Sequence, residues 1–466
     1  MKRKERSDAV PLATFHRPSA ASATVSDFGL SIAEARQLLV ELQCSVAQDQ
    51  ICAYDAPRRC CRYCGTYRQI KDWRSRTIAT GLGEIQVRVP RVVSCLCLAE
   101  PLDDDDESID LRYSECPIDR LMPRGRTPEV SYLCAKHGSS VSYRSAARFV
   151  ADLTGLRTLC HATVRKETVR CGENIEDAQF QVGWFAGGRK RHGAKHLRVS
   201  IDGTVVTATP WDETSKFEVI AGRVERDGVM GRRFVCALPR RSLARVLVAA
   251  ALEQSGWTAD TVVDVVTDGA KGMRSLVTSV VPRVAPRILD WFHIAMKLRA
   301  VKAPLFAQTY DYRIERPAFM TRYECLWRKI RDALWRGKGD AAIELIRTLA
   351  ASLHEEIEAL PEFYARCADT ASRSATALLD FLVKNRKDLV DYQRARMSGR
   401  RISSASAESV MNHVVNRRMS KQQQMRWSVK GAHCLLQTRV ELLDGRLTQH
   451  FARRYPHFRS PERMVA

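Results

Sequence analysis

The chain has 466 residues, 45% of them hydrophobic, enough to build real cores in roughly three domains. Its 75 Lys+Arg against 53 Asp+Glu give a formal charge of +22 and a pI of about 9.6, which suits a polyanionic partner whose counterions are released on binding. No apolar run reaches membrane-spanning length and the basic start, Met1 to Arg6, lacks the apolar segment of a signal peptide, so a cytoplasmic protein is expected, its 15 cysteines serving as thiols or metal ligands.

Residues 1–30 are rich in Ala, Ser and basic side chains without periodicity and read as a loose tail. Ser31-Ile32-Ala33-Glu34 is a capping box, opening a helix to about Gln48 with Leu38, Leu39 and Leu42 as its apolar stripe. Cys61-Arg62-Tyr63-Cys64-Gly65 is a knuckle whose two-residue gap lets both thiolates face one ion. Glu84 to Val89 alternates as a hairpin strand and leads to Cys95 and Cys97. Two cysteine pairs joined by a hairpin predict a zinc-ribbon-like module over 31–120, with one structural Zn2+ on Cys61 (or Cys60), Cys64, Cys95 and Cys97. The Asp103 to Asp106 run reads as a solvated acidic loop.

Over 121–180, Thr127-Pro128-Glu129 starts a helix, Gly138, Ser142 and Gly155 punctuate two helices, and Thr158 caps a third that carries Arg165 and Arg170. Three short helices with a basic last member suggest a helix-turn-helix-like DNA-binding region, although a plain helical connector has the same spacing.

The richest stretch is 190–298. Leu197 to Gly203 alternates, so Asp202 points away from the face of Leu197, Val199 and Ile201. Phe217 to Glu225 and Phe234 to Leu238 form a hairpin about Arg226-Asp227-Gly228, and a helix fits Ser242 to Ser255 with Gly256 ending it. Thr261 to Thr267 is a β-branched buried strand that delivers Asp268-Gly269, and a further strand ends in Asp290-Trp291-Phe292-His293. Beyond it, 299–400 is all-helical, with Tyr323, Leu326, Trp327, Ile330 and Leu334 at helical spacing and Trp327 read as core. From Gly399 into 401–466, the stretch that completes the core, Arg400, Arg401, Arg417, Arg418, Lys421, Arg426 and Lys430 surround Glu408 and Trp427 with no other acid nearby in sequence, which marks them as DNA-binding residues. Glu355 and Glu356 lie in an amphipathic helix without that basic setting.

Three meander strands, a crossover helix and strands closing beside the first give the order of an RNase H-like α/β core interrupted by a helical insertion. With Thr267-Asp268-Gly269, Asp290-Trp291-Phe292-His293 and Ala407-Glu408-Ser409-Val410-Met411-Asn412, the chain resembles bacterial insertion-sequence transposases of the DDE type, most specifically over Ile288 to Leu298 and Glu408 to Arg426. The resemblance implies a catalytic triad of Asp202, Asp268 and Glu408 holding two Mg2+ (or Mn2+) ions about 4 Å apart, Asp202 bridging them. It gives Asp290, His293 and Asn412 supporting roles. The implied activity is cleavage and strand transfer at the terminal inverted repeats of a mobile element, by a homo-oligomer on double-stranded DNA. Two other readings remain open from the sequence. One is a non-catalytic zinc-containing DNA-binding regulator; the other is an RNase H-like nuclease or resolvase with Asp290 as a fourth ligand.

Overall fold

The computed structural model describes residues 15, 24–61, 63–93, 95, 97, 114–185, 193–226, 229–237, 241–269, 271–281, 287–307, 318–419 and 425–461. Most of the tail, the Asp103 to Asp106 run, Asp227, Gly228 and Lys421 lie outside them. The protein is mixed α/β, mostly helical, with two small sheets, and it divides into two compact units, 1–171 with 445–466 and 172–444.

In the first unit, α1 (Ile32–Arg58) has the expected capping box, Ser31 Oγ accepting from the Glu34 N–H, but runs ten residues past Gln48. The expected stripe is rotated: Leu39 and Leu42 are 41% and 46% exposed, while Val40, Cys44, Ala47 and Ile51 pack on Ile78, Ile85, Val87 and Val89. Those last residues belong to the hairpin of β1 (Ile70–Thr80) and β2 (Gly83–Val93), to which β3 (Ser114–Glu115) adds an edge. A short α2 (Ile118–Leu121) follows, then α3 (Pro128–Ser140), α4 (Tyr143–Thr154) and α5 (His161–Phe185), which continues past Cys171 into the second unit. Ser142 caps α4 by accepting from the Ser145 N–H, and Gly155 ends it at φ 76°. Two sequence expectations fail here. Gly138 does not end a helix but lies inside α3, where a Cβ would come within 2.2 Å of the Thr168 hydroxyl on α5, so glycine permits that close crossing. Thr158 donates to Glu84 and leaves α5 to begin at His161.

In the second unit a five-stranded sheet has the order β6 (Val229–Cys236), β5 (Lys216–Arg226), β4 (His196–Thr207), β7 (Val262–Thr267), β8 (Ile288–Leu289). The first three are antiparallel neighbours; β7 runs parallel to β4, and β8 parallel to β7. β6 begins five residues before the expected Phe234, because Val229 to Arg233 continue the ladder with β5. The crossover α6 (Arg241–Gln254) presses Leu243, Leu247 and Val248 onto Leu197, Val199 and Ile201, and Gly256 at φ 91° terminates it as read. α7 (Lys271–Thr278) adds Leu276 and Val277 to this core.

A separate helical core is built from α8 (Trp291–Leu305), α9 (Ala318–Trp335), α10 (Gly339–Glu355), α11 (Glu362–Lys384) and α12 (Tyr392–Met397). Trp327 is buried here and donates through Nε1 to the Leu298 carbonyl. The chain then returns to the sheet as α13 (Ala405–Val410), widens into a π-helical stretch at Met411–Asn416 and ends this rod with α14 (Arg417–Met419). Arg439, on α15 (Val429–Leu443), donates from Nε and Nη2 to the His413 carbonyl, satisfying one backbone acceptor of the widened turn. A last helix, α16 (Leu447–Arg454), belongs to the first unit, where Phe451 meets Tyr132 edge-on at 5.3 Å.

Candidate metal centre and carboxylate cleft

The register of the sheet fixes where the acids stand. Ser200 pairs with Val266 and Val266 with Ile288, so two residues further along three parallel strands Asp202, Asp268 and Asp290 reach one level at the carboxyl ends. That edge is where open α/β sheets bind ligands. Side-chain alternation sends Leu197, Val199 and Ile201 toward α6 and leaves Ser200 and Asp202 on the opposite face. There α13 lies against β4 and β5, its Ser406 hydroxyl 2.5 Å from that of Ser200, and brings in Glu408.

Asp202 is half-buried and accepts from the Gly203 N–H at 2.8 Å. Burial raises its pKa above the ordinary carboxylate value; the charges of Asp268 and Glu408 push the same way, against the Gly203 N–H and His293. The three acids therefore share one electrostatic site. Their oxygens do not all lie within 4.8 Å of one another, the spacing that the described residues reach only at a cysteine group. Two ions about 4 Å apart do not require it, since ligands on the outer sides of the pair stand further apart.

Asp290 has another role. It is fully buried, caps α8 by accepting from the Phe292 N–H at 2.7 Å, and through its other oxygen meets His293 Nδ1 at 2.7 Å and the Ser404 hydroxyl. Burial alone would raise its pKa, yet the donors His293, Ser404 and Phe292 hold it below the usual range. His293 is raised in turn by that bond, against its partial burial, with the charges of Asp290, Asp268 and Asp202 adding to the effect. The acids thus favour the protonated form of this histidine. Asn412 is exposed and accepts from Asn416 Nδ2 instead of touching Glu408. Glu355 lies at the end of α10, and Glu356 bonds Tyr323 within the helical core, where burial and then Glu356 push the phenol up.

The basic residues separate into two groups. Arg165, Arg417 and Arg426 are exposed. Arg170 pairs with Glu167 at 2.7 Å, Arg400 with Asp264 at 2.6 Å, Arg401 with Glu225 at 2.9 Å and Lys430 with Glu173 at 2.8 Å. The absence of neutralising acids held only along the sequence, because Asp264, Glu225 and Glu173 arrive from β7, β5 and α5. Arg418 and Trp427 are buried at 3% and 7% exposure, the guanidinium 5.0 Å over the indole, and Trp427 exchanges backbone hydrogen bonds with Thr207 and Thr209. Both were expected at a DNA surface and instead pack the interior.

In the first unit the sulfurs of Cys61, Cys64, Cys95 and Cys97 lie within 4.8 Å of one another, Cys61 and Cys97 at 3.4 Å and Cys64 and Cys95 at 3.2 Å. Cys60 instead bridges to Tyr67 and is not in this group, which decides the alternative in favour of Cys61. The knuckle closes through the Gly65 N–H on the Cys61 carbonyl at 2.9 Å, with Gly65 at φ 72°. Backbone N–H groups of Cys64 and Tyr63 favour the Cys61 thiolate, and Thr66 lowers Cys64 to about 6, while Cys95 and Cys97 are raised. Four soft sulfur donors at this spacing fit a tetrahedral zinc ion.

Sequence reasoning missed Ser404, Ser406 and Asn385. The last, 6% exposed after α11, sits where a Cβ on Gly269 would come to 2.6 Å of its Oδ1, and Gly269 has φ +95°. Serines ahead of a helix are a cap signal that Ser404 carries; nothing local marks Asn385. No family model matches the chain, and no curated protein is significantly similar to it.

Proposed function

We propose that the chain is a DDE transposase with an RNase H-like core, a zinc-ribbon-like module and a helix-turn-helix-like region, acting on the ends of a mobile DNA element. The observation that carries this reading is the level placement of Asp202 and Asp268 on adjacent parallel strands, with Glu408 electrostatically coupled to them. Hard carboxylate oxygens around a half-buried Asp202 fit Mg2+ or Mn2+, whose charge would offset the burial, and the repulsion from Asp268 and Glu408, that raise Asp202. Asp202, Asp268 and Glu408 would hold such ions, which when bound supply activation of the attacking oxygen and stabilisation of the leaving one. The Gly203 N–H orients Asp202, and Asp290 holds His293 through Nδ1 and favours its protonated form, which would offer positive charge toward a scissile phosphate. Asp290 has both oxygens engaged, which disfavours the four-acid nuclease reading. Exposed Arg417 and Arg426, with Arg165 in the other unit, supply backbone contacts.

Asp202→Asn, Asp268→Asn and Glu408→Gln should each abolish Mg2+-dependent cleavage of DNA carrying the element's ends while leaving its binding largely intact. Binding itself should weaken linearly in log affinity against log salt. Cleavage surviving in all three variants would remove the triad, and retained binding with no cleavage by the unaltered chain would favour the regulator.

A further inference from the structure

Ser404 begins the helix that carries Glu408, its carbonyl accepting from the N–H groups of Ala407 and Glu408 at 2.7 and 3.0 Å. A serine there ordinarily turns its hydroxyl onto its own helix's free N–H groups. Ser404 makes no such cap; it is 3% exposed and donates to the buried Asp290 carboxylate instead. Beside it, the Trp291 N–H donates to the Ile402 carbonyl at 2.9 Å. The returning segment is thus fastened to the end of β8 at two points, Ser404 on Asp290 through both its hydroxyl and its backbone N–H, and Ile402 on the Trp291 N–H. Two residues beyond Ser404, Ser406 meets Ser200 on the strand of Asp202.

We propose that Ser404 is a positioning residue that, through Asp290, sets the place of Glu408 relative to Asp202 and Asp268, so that one buried carboxylate aligns both His293 and the helix of the third acid. This rests on reading those three acids as one catalytic set. The bond is charge-assisted and shielded from water, the setting in which a single hydrogen bond counts most. Replacing Asp290 with asparagine would not imitate it, because in either orientation the amide nitrogen faces the Phe292 N–H or His293, a donor against a donor, and the negative charge is lost.

The test measures two things on the full chain: hydrogen exchange at the amides of 405–410 without added divalent metal, and Mn2+-dependent cleavage of end-bearing DNA. Ser404→Ala should speed exchange in that segment roughly tenfold and slow cleavage at least as much, while Ser404→Thr, which keeps the hydroxyl, should restore both. Asp290→Asn should loosen the same amides. Wild-type exchange and wild-type cleavage in Ser404→Ala would overturn the proposal. If Ser404→Ala does not fold, Ser404→Cys, with a weaker donor of similar size, decides: intermediate exchange supports the latch and wild-type exchange overturns it. Loosened exchange in Ser404→Ala, with no cleavage by any chain including the unaltered one, would keep the latch and sink the transposase reading.

Discussion

Asp55 lies on the buried face of α1, 2% exposed, with no hydrogen-bond partner for either oxygen among the described residues. Burial raises its pKa from 3.8 to about 6; Arg58 opposes the rise and Asp119 adds to it. A folded-state value above the unfolded one means that the relative stability is full below about pH 4 and is lost as pH rises through 6. The ionised form then costs about 3 kcal/mol at pH 8. Asp55→Asn removes the titration. It also buries an amide, but that penalty does not vary with pH, so the comparison is between the two chains at two pH values. Hydrogen exchange at Ile85, Val87 and Val89, corrected for intrinsic rates, reports opening of the strands against which α1 packs. Between pH 4.5 and 8 the wild type should lose about 2 kcal/mol relative to Asp55→Asn. Comparing the chains at equal pH cancels the proton dependence of the nearby cysteines. A difference between them that stays constant with pH would refute the reasoning.

Replacing Cys61 and Cys64 by serine should remove one zinc ion per chain by metal analysis and melt the first unit's hairpin, leaving the exchange protection of β4 and β7 in place. Asp202→Asn should raise the melting temperature of the metal-free protein near neutral pH, since burial and the neighbouring charges disfavour its ionised form there; an unchanged or lower value would contradict the raised pKa. Gly269→Ala should destabilise the second unit by about 1–3 kcal/mol in chemical unfolding, from positive φ and the clash with Asn385, and Asn385→Ala should recover only the clash.

Both aspartate positions of the cleft were legible because strand signals are local: a β-branched run ends at Thr267, and alternation sets the face of Asp202. The cysteine group was legible for a similar reason, since knuckle spacing dictates its own geometry. What escaped the sequence was decided by partners distant in the chain. Nothing near Arg400 or Arg401 announces Asp264 or Glu225, and nothing near Trp427 shows that Thr207 and Thr209 will enclose it. The α1 stripe went wrong because Leu39 and Leu42 share a helix with Val40, Cys44, Ala47 and Ile51, and only the hairpin decides which stripe is covered.

The 2.9 Å bond from the Trp291 N–H to the Ile402 carbonyl also bears on how chain length relates to the cleft. Residues 292–401 leave and rejoin the sheet side by side at this bond, with Tyr392 tied to the Leu289 carbonyl and Arg400 to Asp264 near the point of return, so to the sheet they form one closed loop. Closing a loop costs entropy that grows only with the logarithm of its length, and halving this one would change that cost by about 0.6 kcal/mol. The distance along the sequence from Asp268 to Glu408 is therefore nearly free to drift, while their distance in space is not. Substituting a shorter helical hairpin for most of the loop is a tolerable edit provided that Asn385, Ile402 and Ser404 keep their places.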